Sequence, residues 1–253
     1  MKKMLRSLEV LWIALLIFFL SSLAVQASVL KVSHVSPDHI DIGAFYHGIK
    51  LKVTGFVPAD SDIVIRFVGV RKDVHLKRKG KVLGLLWMNV DPVTFKMAPN
   101  ACIVEASSKY GLKMLGLKSL ESDIEIETEA SVDRERLFLE FLKLKKSEKL
   151  YSERVGSVRF EEVDETKKGF SVDLVVPARL TPGKYTLQIF AIRDGQVVDR
   201  AEQVIPVKLV GFPAFLASMA FNHGGWYGVL AVVIAIFAGL AMGFIFGGKG
   251  GAH

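Results

Sequence analysis

The chain has 253 residues, a formal net charge of +7, a single cysteine, and 51% hydrophobic and 23% charged residues. Its mean hydropathy of +0.35 is high for a soluble domain, whereas its charged fraction is close to the average of about 25%. Both values follow if apolar segments are concentrated at the two ends of an ordinary folded domain. One cysteine excludes a disulfide framework and a cysteine-rich zinc or iron–sulfur site.

The N-terminal segment has the layout of a signal peptide. Three basic residues precede an apolar run at 10–20, and Val25 and Ala27 suit a cleavage site before Ser28. The run is short for a membrane span, which needs about 20 apolar residues. We therefore predict a signal peptide over 1–27.

Residues 28–211 are predicted to form one extracytoplasmic, mainly β domain. Stretches that alternate apolar and polar side chains predict half-buried strands at 29–35, 49–57, 62–70, 82–89, 101–106, 170–176, 184–192 and 197–209. Asp194-Gly195 favours a type I′ turn, since both central positions of that turn need positive φ. Short strands at this spacing predict an immunoglobulin-like β-sandwich.

A helical period interrupts the strands between 131 and 151. Leucine and phenylalanine recur there at helical spacing, and lysines are concentrated late in the run, where cations suit the helix dipole. The preceding segment 121–127 alternates like a strand. We predict a helical insertion over about 109–154 between two β halves.

A group of histidines near the start of the domain is a candidate metal site. His34, His39, Asp41 and His47 lie close together in sequence, and imidazole with carboxylate suits zinc, copper or nickel. Their spacing matches no established metal site, so a solvated polar turn is the alternative.

A second group is strongly cationic and surrounds a predicted turn at Gly80. It consists of Arg71, Lys72, Lys77, Arg78, Lys79 and Lys81. These cations could bind an anionic headgroup, an anionic ligand or an acidic partner, or they could form a solvated hairpin tip that protects an edge strand. Because the domain is expected outside the cytoplasm, nucleic acid is not an expected partner.

The C-terminal segment predicts one membrane span. Residues 226–246 contain no charged side chain, and a helix of this length extends about 31 Å, the thickness of the hydrocarbon core. We predict a juxtamembrane interfacial helix or stalk at 212–225 and a cytoplasmic tail at 247–253. The basic residues at both ends place the domain in the periplasm or exterior of a single-pass inner (plasma) membrane protein.

Small residues recur every four positions in the predicted span. They are Ala231, Ala235, Gly239, Gly243 and Gly247. Such a row lets a second backbone approach closely, which predicts packing on a membrane-protein partner or on a second copy. The alternative is that glycine and alanine are simply common in membrane spans.

Several stretches together resemble the Alph_Pro_TM family of transmembrane proteins. They are GLLWMNVDPVTF at 84–95, IVEASS at 103–108, FLEFLKLKKSEKLY at 138–151, VPARLTPGKYTLQIFAIRDGQVV at 176–198 and VGFPAFLASMAFNHGGWYGVLAVVIAIFAGL at 210–240. The resemblance implies a signal peptide, an extracytoplasmic domain and one C-terminal span, with no established activity. Members of this family are often encoded beside sulfite-exporter-like permeases, which implies such a permease as a partner.

No catalytic motif occurs in the sequence. The chain lacks GxSxG, HExxH, CxxC, the P-loop and the dinucleotide-binding fingerprint, so we predict neither an enzyme nor a cofactor. The sequence favours a membrane-anchored accessory or interaction protein. The alternative function is an anchored sensor or carrier that binds a metal or a small anion.

Overall fold

The computed structural model describes residues 29–82, 85–129 and 133–247. The predicted signal peptide and residues 248–253 of the predicted tail lie outside this part of the chain. Thirteen strands are described: β1 Lys31–Ser36, β2 Ile40–Ile42, β3 Ile49–Pro58, β4 Asp62–Val68, β5 Arg71–Val82, β6 Leu86–Pro99, β7 Cys102–Ala106, β8 Glu125–Thr128, β9 Tyr151–Val155, β10 Arg159–Glu162, β11 Lys167–Val176, β12 Gly183–Arg193 and β13 Gln196–Leu209.

The described helices are α1 Lys109–Leu115, α2 Arg134–Ser147, α3 Gly211–Asn222 and α4 Gly224–Gly247, with a 3-10 turn at Leu117–Ser122. The described chain is therefore mainly β with a C-terminal apolar helix, as predicted. Helices α1 and α2 fall within the segment in which the sequence predicts a helical insertion. Asp133 caps α2 by accepting a hydrogen bond from the Glu135 amide at 3.1 Å, and lysines occupy its last turn.

Two sheets pack face to face. A four-stranded sheet has the order β1-β3-β11-β10, and a six-stranded sheet has the order β2-β13-β12-β4-β7-β9. Alternate side chains such as Leu51 and Leu174 from one sheet meet Ile65 and Leu187 from the other in one core, because successive residues of a strand face opposite sides. The immunoglobulin-like topology of this sandwich stays a prediction.

A second core covers the outer face of the six-stranded sheet. Val64 and Val104 of the sheet belong to the same buried cluster as Phe141 of α2. Phe95 of β6 stacks on Phe141 at 4.3 Å between ring centroids. Strand β4 is consequently buried on both faces. Helix α2 therefore covers this second core.

Strands β5 and β6 form one long hairpin, and β8 pairs with the base of β6 to give a third sheet. The predicted strand over 82–89 is wrong, because β5 ends at Val82 and β6 begins at Leu86 within that range. The predicted turn at Gly80 is also wrong: Gly80 lies within β5 and pairs with Met88. Basic side chains alternate with few apolar ones in β5, so the sequence carries little strand signal there.

The register of the six-stranded sheet places several chain segments at the end from which α3 leaves, which we call the α3 end. Val207 of β13 pairs with Gly183 of β12, and Val68 of β4 pairs with Cys102 of β7. Cys102 pairs in turn with Tyr151 of β9. The opposite end holds the Asp194-Gly195 turn, whose positive φ values of 48° and 79° confirm the predicted type I′ conformation.

Candidate interaction surfaces

Helix α4 is long and apolar enough to cross a membrane. Within Gly224–Phe246, the most apolar window of 18 residues has a mean hydropathy of 2.8, and none of it is buried against the rest of the described chain. At 1.5 Å per residue the helix extends about 35 Å, slightly more than the hydrocarbon core of about 30 Å. Trp226 and Tyr227 lie exposed in its first turn, where aromatic rings favour the headgroup level.

The predicted row of small residues lies on α4 from Ala231 to Gly247. A Cβ atom added at Gly239 or Gly243 would meet no atom within 4 Å. The backbone is therefore open to a neighbouring helix along this row. Packing of this row on a second helix stays a prediction.

Helix α3 carries large apolar side chains that are largely exposed in the described part of the chain. Phe212, Phe215 and Phe221 are exposed by 62%, 52% and 89%, and the helix contains no charged residue. Such a helix is poorly suited to water on all sides. Its composition suits the membrane interface, next to the start of α4.

The predicted cationic group lies along the β5–β6 hairpin. Arg71 pairs with Asp123 at 3.0 Å, and Arg78 donates to Asp91 from Nε at 3.1 Å, so two of the six cations are neutralised locally. The group is completed by Lys72, Lys77, Lys79 and Lys81, each of which is exposed.

The distal half of the hairpin is also apolar. Leu85, Leu86 and Met88 are exposed by 83%, 62% and 51%. Strand β8 pairs with β6 only as far as Val93, so no third strand supports this half among the described residues. The hairpin base is fixed at the α3 end, where the Asn100 amide donates to the Val70 carbonyl at 2.9 Å.

The histidine group does not assemble into a metal site. His39 Nδ1 lies 2.6 Å from Asp38 and its Nε2 lies 3.6 Å from Asp41, both at the surface. The hydrogen bond with His39 is the main cause that lowers the pKa of Asp38. His34 lies on β1, and His47 lies in the loop before β3. In the described ranges, no group of three or more His, Cys, Asp or Glu side chains could hold a metal ion.

A cleft of about 700 Å³ at the α3 end is a feature that the sequence did not indicate. We call it the basic cleft. Its charged and titratable lining residues are His47, Lys146, Glu148, Lys149, Arg154 and Arg179, and part of its wall is apolar. These residues come from the loop before β3, the end of α2, the α2–β9 connection, β9 and the segment after β11. Their distance in sequence explains why no motif revealed them.

Tyr46 connects two walls of the basic cleft. Its hydroxyl donates a hydrogen bond to the Pro177 carbonyl at 3.4 Å. Burial, and to a smaller extent the neighbouring Tyr185, raise the pKa of Tyr46 to about 12. The phenol therefore stays protonated and able to donate at neutral pH.

These features are typical of one class: a membrane protein whose described residues form a β-rich domain followed by one C-terminal apolar helix. A comparison with protein families matches residues 31–247 to the transmembrane-protein family Alph_Pro_TM. The chain belongs to that family, as the resembling stretches predicted. A search of curated proteins finds no match.

Proposed function

We propose that this protein is a membrane-anchored accessory protein whose β domain faces the periplasm or exterior and whose span packs on a membrane-protein partner or on a second copy. The main support for this proposal is the open face of α4. This face is not buried against the rest of the described chain, and its backbone is accessible at Gly239 and Gly243. Van der Waals packing at small residues drives association of helices in lipid, where the hydrophobic effect does not.

Purification of the full-length chain in mild detergent, with mass spectrometry of co-purifying proteins, tests this function. The double variant Gly239→Leu/Gly243→Leu fills the open face and is expected to lose the partner or the dimer. The control Val232→Leu/Ile236→Leu changes apolar side chains of α4 outside the small-residue row and is expected to keep it. Equal recovery of the complex from both variants would contradict the proposed packing face.

The β5–β6 hairpin is proposed as the second contact with the same partner. Its exposed Leu86 and Met88 lie in the distal half of a hairpin whose base is fixed at the α3 end. Leu86→Ser/Met88→Ser is expected to weaken co-purification, whereas Val197→Ser/Val198→Ser, at the opposite end of the sandwich, is expected to leave it unchanged. The family association implies a sulfite-exporter-like permease as the partner to seek first.

The alternative function, an anchored sensor or carrier, is supported unevenly. The scattered histidines give no support to a metal. The basic cleft favours an anion. No arrangement among the described side chains supports a catalytic role.

A further inference from the structure

The basic cleft lies close to the point where the domain meets its anchor. Gly43, in the loop after β2, lies next to Val210, the last residue before α3, and the Val210 amide donates to the Ile42 carbonyl at 3.1 Å. His47 follows Gly43 by four residues, so it lies at most about 14 Å from that point. Tyr151 lines the same cleft and belongs to the α3 end of the six-stranded sheet.

The cations of the cleft outnumber the carboxylates that could neutralise them. Lys146 pairs with Glu153 at 2.7 Å, and Arg154 pairs with Glu105. Glu148, the one carboxylate that lines the cleft, is bound by Lys145 at 3.3 Å.

Two cations remain without a carboxylate. Lys149 and Arg179 have no carboxylate partner within 4 Å among the described residues, and both are exposed at the cleft. Both line the same cleft, Lys149 from the connection after α2 and Arg179 from the segment after β11.

Lys149 occupies a backbone conformation that favours glycine. It follows the last residues of α2 with φ of 61°, the position at which helices commonly end in glycine. A lysine there retains a cation at the cleft at the expense of local backbone strain. Gly48, which follows His47 in the loop before β3, has φ of 96°. Its backbone approaches the Val176 carbonyl so closely that a side chain would not fit.

The rest of the cleft suits a ligand that is only partly charged. Val175, Val176, Pro177 and Ala178 give one wall an apolar surface. Phe45, two residues before His47, is 90% exposed. An aromatic side chain in this place is typical of a membrane interface.

We propose that the basic cleft binds the phosphate of an anionic phospholipid headgroup in the leaflet that α4 enters, with Lys149 and Arg179 on either side of it. This proposal rests on the proposed function in one respect, namely that α4 lies in the bilayer. Phosphate offers several acceptor oxygens to the two cations, and the apolar wall contacts the glycerol portion. Phe45 inserts between the lipids beside it.

The test is a calorimetric titration of the full-length protein in a neutral detergent. The titrants are dihexanoyl-phosphatidylglycerol, dihexanoyl-phosphatidylcholine and inorganic phosphate. We expect saturable binding of dihexanoyl-phosphatidylglycerol, at least tenfold tighter than the binding of the other two titrants. Lys149→Gly/Arg179→Gln is expected to weaken it at least tenfold, and the control Lys143→Gln/Arg200→Gln, with the same change in charge outside the cleft, is expected to leave it unchanged.

Each other outcome is decisive. Equal affinity for inorganic phosphate would identify a free anion as the ligand and overturn the lipid assignment. Equal loss of lipid affinity in both double variants would show that the lipid is attracted to the whole charged surface, and would overturn the assignment to the basic cleft. No saturable binding would overturn the proposal outright. The anchor is measured separately, by quenching of a fluorophore at Val233→Cys with brominated lipids, so failure of the proposed function is distinguishable.

Discussion

Arg154 binds a carboxylate that water does not reach. Its Nε donates to Glu105 Oε1 at 2.9 Å, and Glu105 is fully buried while about half of the arginine side chain is exposed. The second carboxylate oxygen accepts a hydrogen bond from the Ser157 hydroxyl at 2.5 Å. The pair joins β7 to β9, the edge strand that follows α2, and so holds the end of α2 on the sandwich.

Removal of this arginine is expected to destabilise the protein substantially. Arg154→Ala leaves a buried carboxylate without its cation, and we expect the free energy of unfolding to fall by about 2 to 4 kcal/mol. Chemical denaturation of the detergent-purified chain measures this change. The matched control is Arg159→Ala, because its partner Asp173 is exposed, and a loss below about 1 kcal/mol is expected. Similar losses of unfolding free energy in both variants would contradict the view that burial of Glu105 makes its ion pair more important than the exposed one.

Lys149→Gly is expected to stabilise the fold while it removes a cation from the basic cleft. The backbone at φ of 61° is unfavourable for lysine and open to glycine. The expected gain in unfolding free energy is about 1 kcal/mol. Lys149→Ala keeps the Cβ atom and should give no such gain. If glycine proves as neutral as alanine, the lysine is not strained.

Cys102 is expected to be unreactive in the folded protein. The side chain is fully buried, and burial raises the pKa of its thiol to about 11. Maleimide at pH 7 should label the folded protein negligibly and the denatured protein completely, as counted by intact mass. Rapid labelling without denaturant would show that the second core opens readily.

The turn between β10 and β11 is expected to depend on pH. Asp164 Oδ1 accepts hydrogen bonds from the Thr166 hydroxyl at 2.7 Å and from the Thr166 and Lys167 amides at 2.9 Å each. These bonds, that of the Thr166 hydroxyl first, lower the pKa of Asp164 to about 2. The folded pKa lies below the ordinary value of 3.8. The ionised Asp164 therefore makes its full contribution to folding stability above pH 3.8, and this contribution is lost as the pH falls toward 2.

Comparison of the wild type with Asp164→Ala isolates this contribution. The wild type should be the more stable protein at pH 6, and the difference should shrink between pH 4 and pH 2. Glu165→Ala, one residue on in the same turn, is the control and should show no such trend. A difference that persists at pH 2 would assign the effect to lost packing rather than to the carboxylate.

The parts of the fold that sequence predicted are those with a local signal. Strands β3, β11 and β12 alternate clearly because one face is buried and the other is not. The turn at Asp194-Gly195 has chemistry of its own, and α4 has both the length and the apolar composition of a span.

The parts that sequence missed depend on distant contacts. Strand β10 is exposed along its whole length, so it has no apolar alternation. In β5 the partners of the lysines lie on β6, and only that pairing shows that Gly80 is inside a strand. The basic cleft joins His47, Lys149 and Arg179, which are brought together by the parallel pairing of β9 with β7 and by the loops beside it.

The short strand β2 gives the anchor a mechanical consequence. It pairs in parallel with residues 207–209 of β13, the last strand before α3, while β12 pairs with β13 on the other side. A pull on Val210 along the axis of β13 acts parallel to these strands and across their hydrogen bonds. Many bonds then bear the load together instead of opening one after another. Along this direction the domain therefore resists unravelling from its C-terminal end.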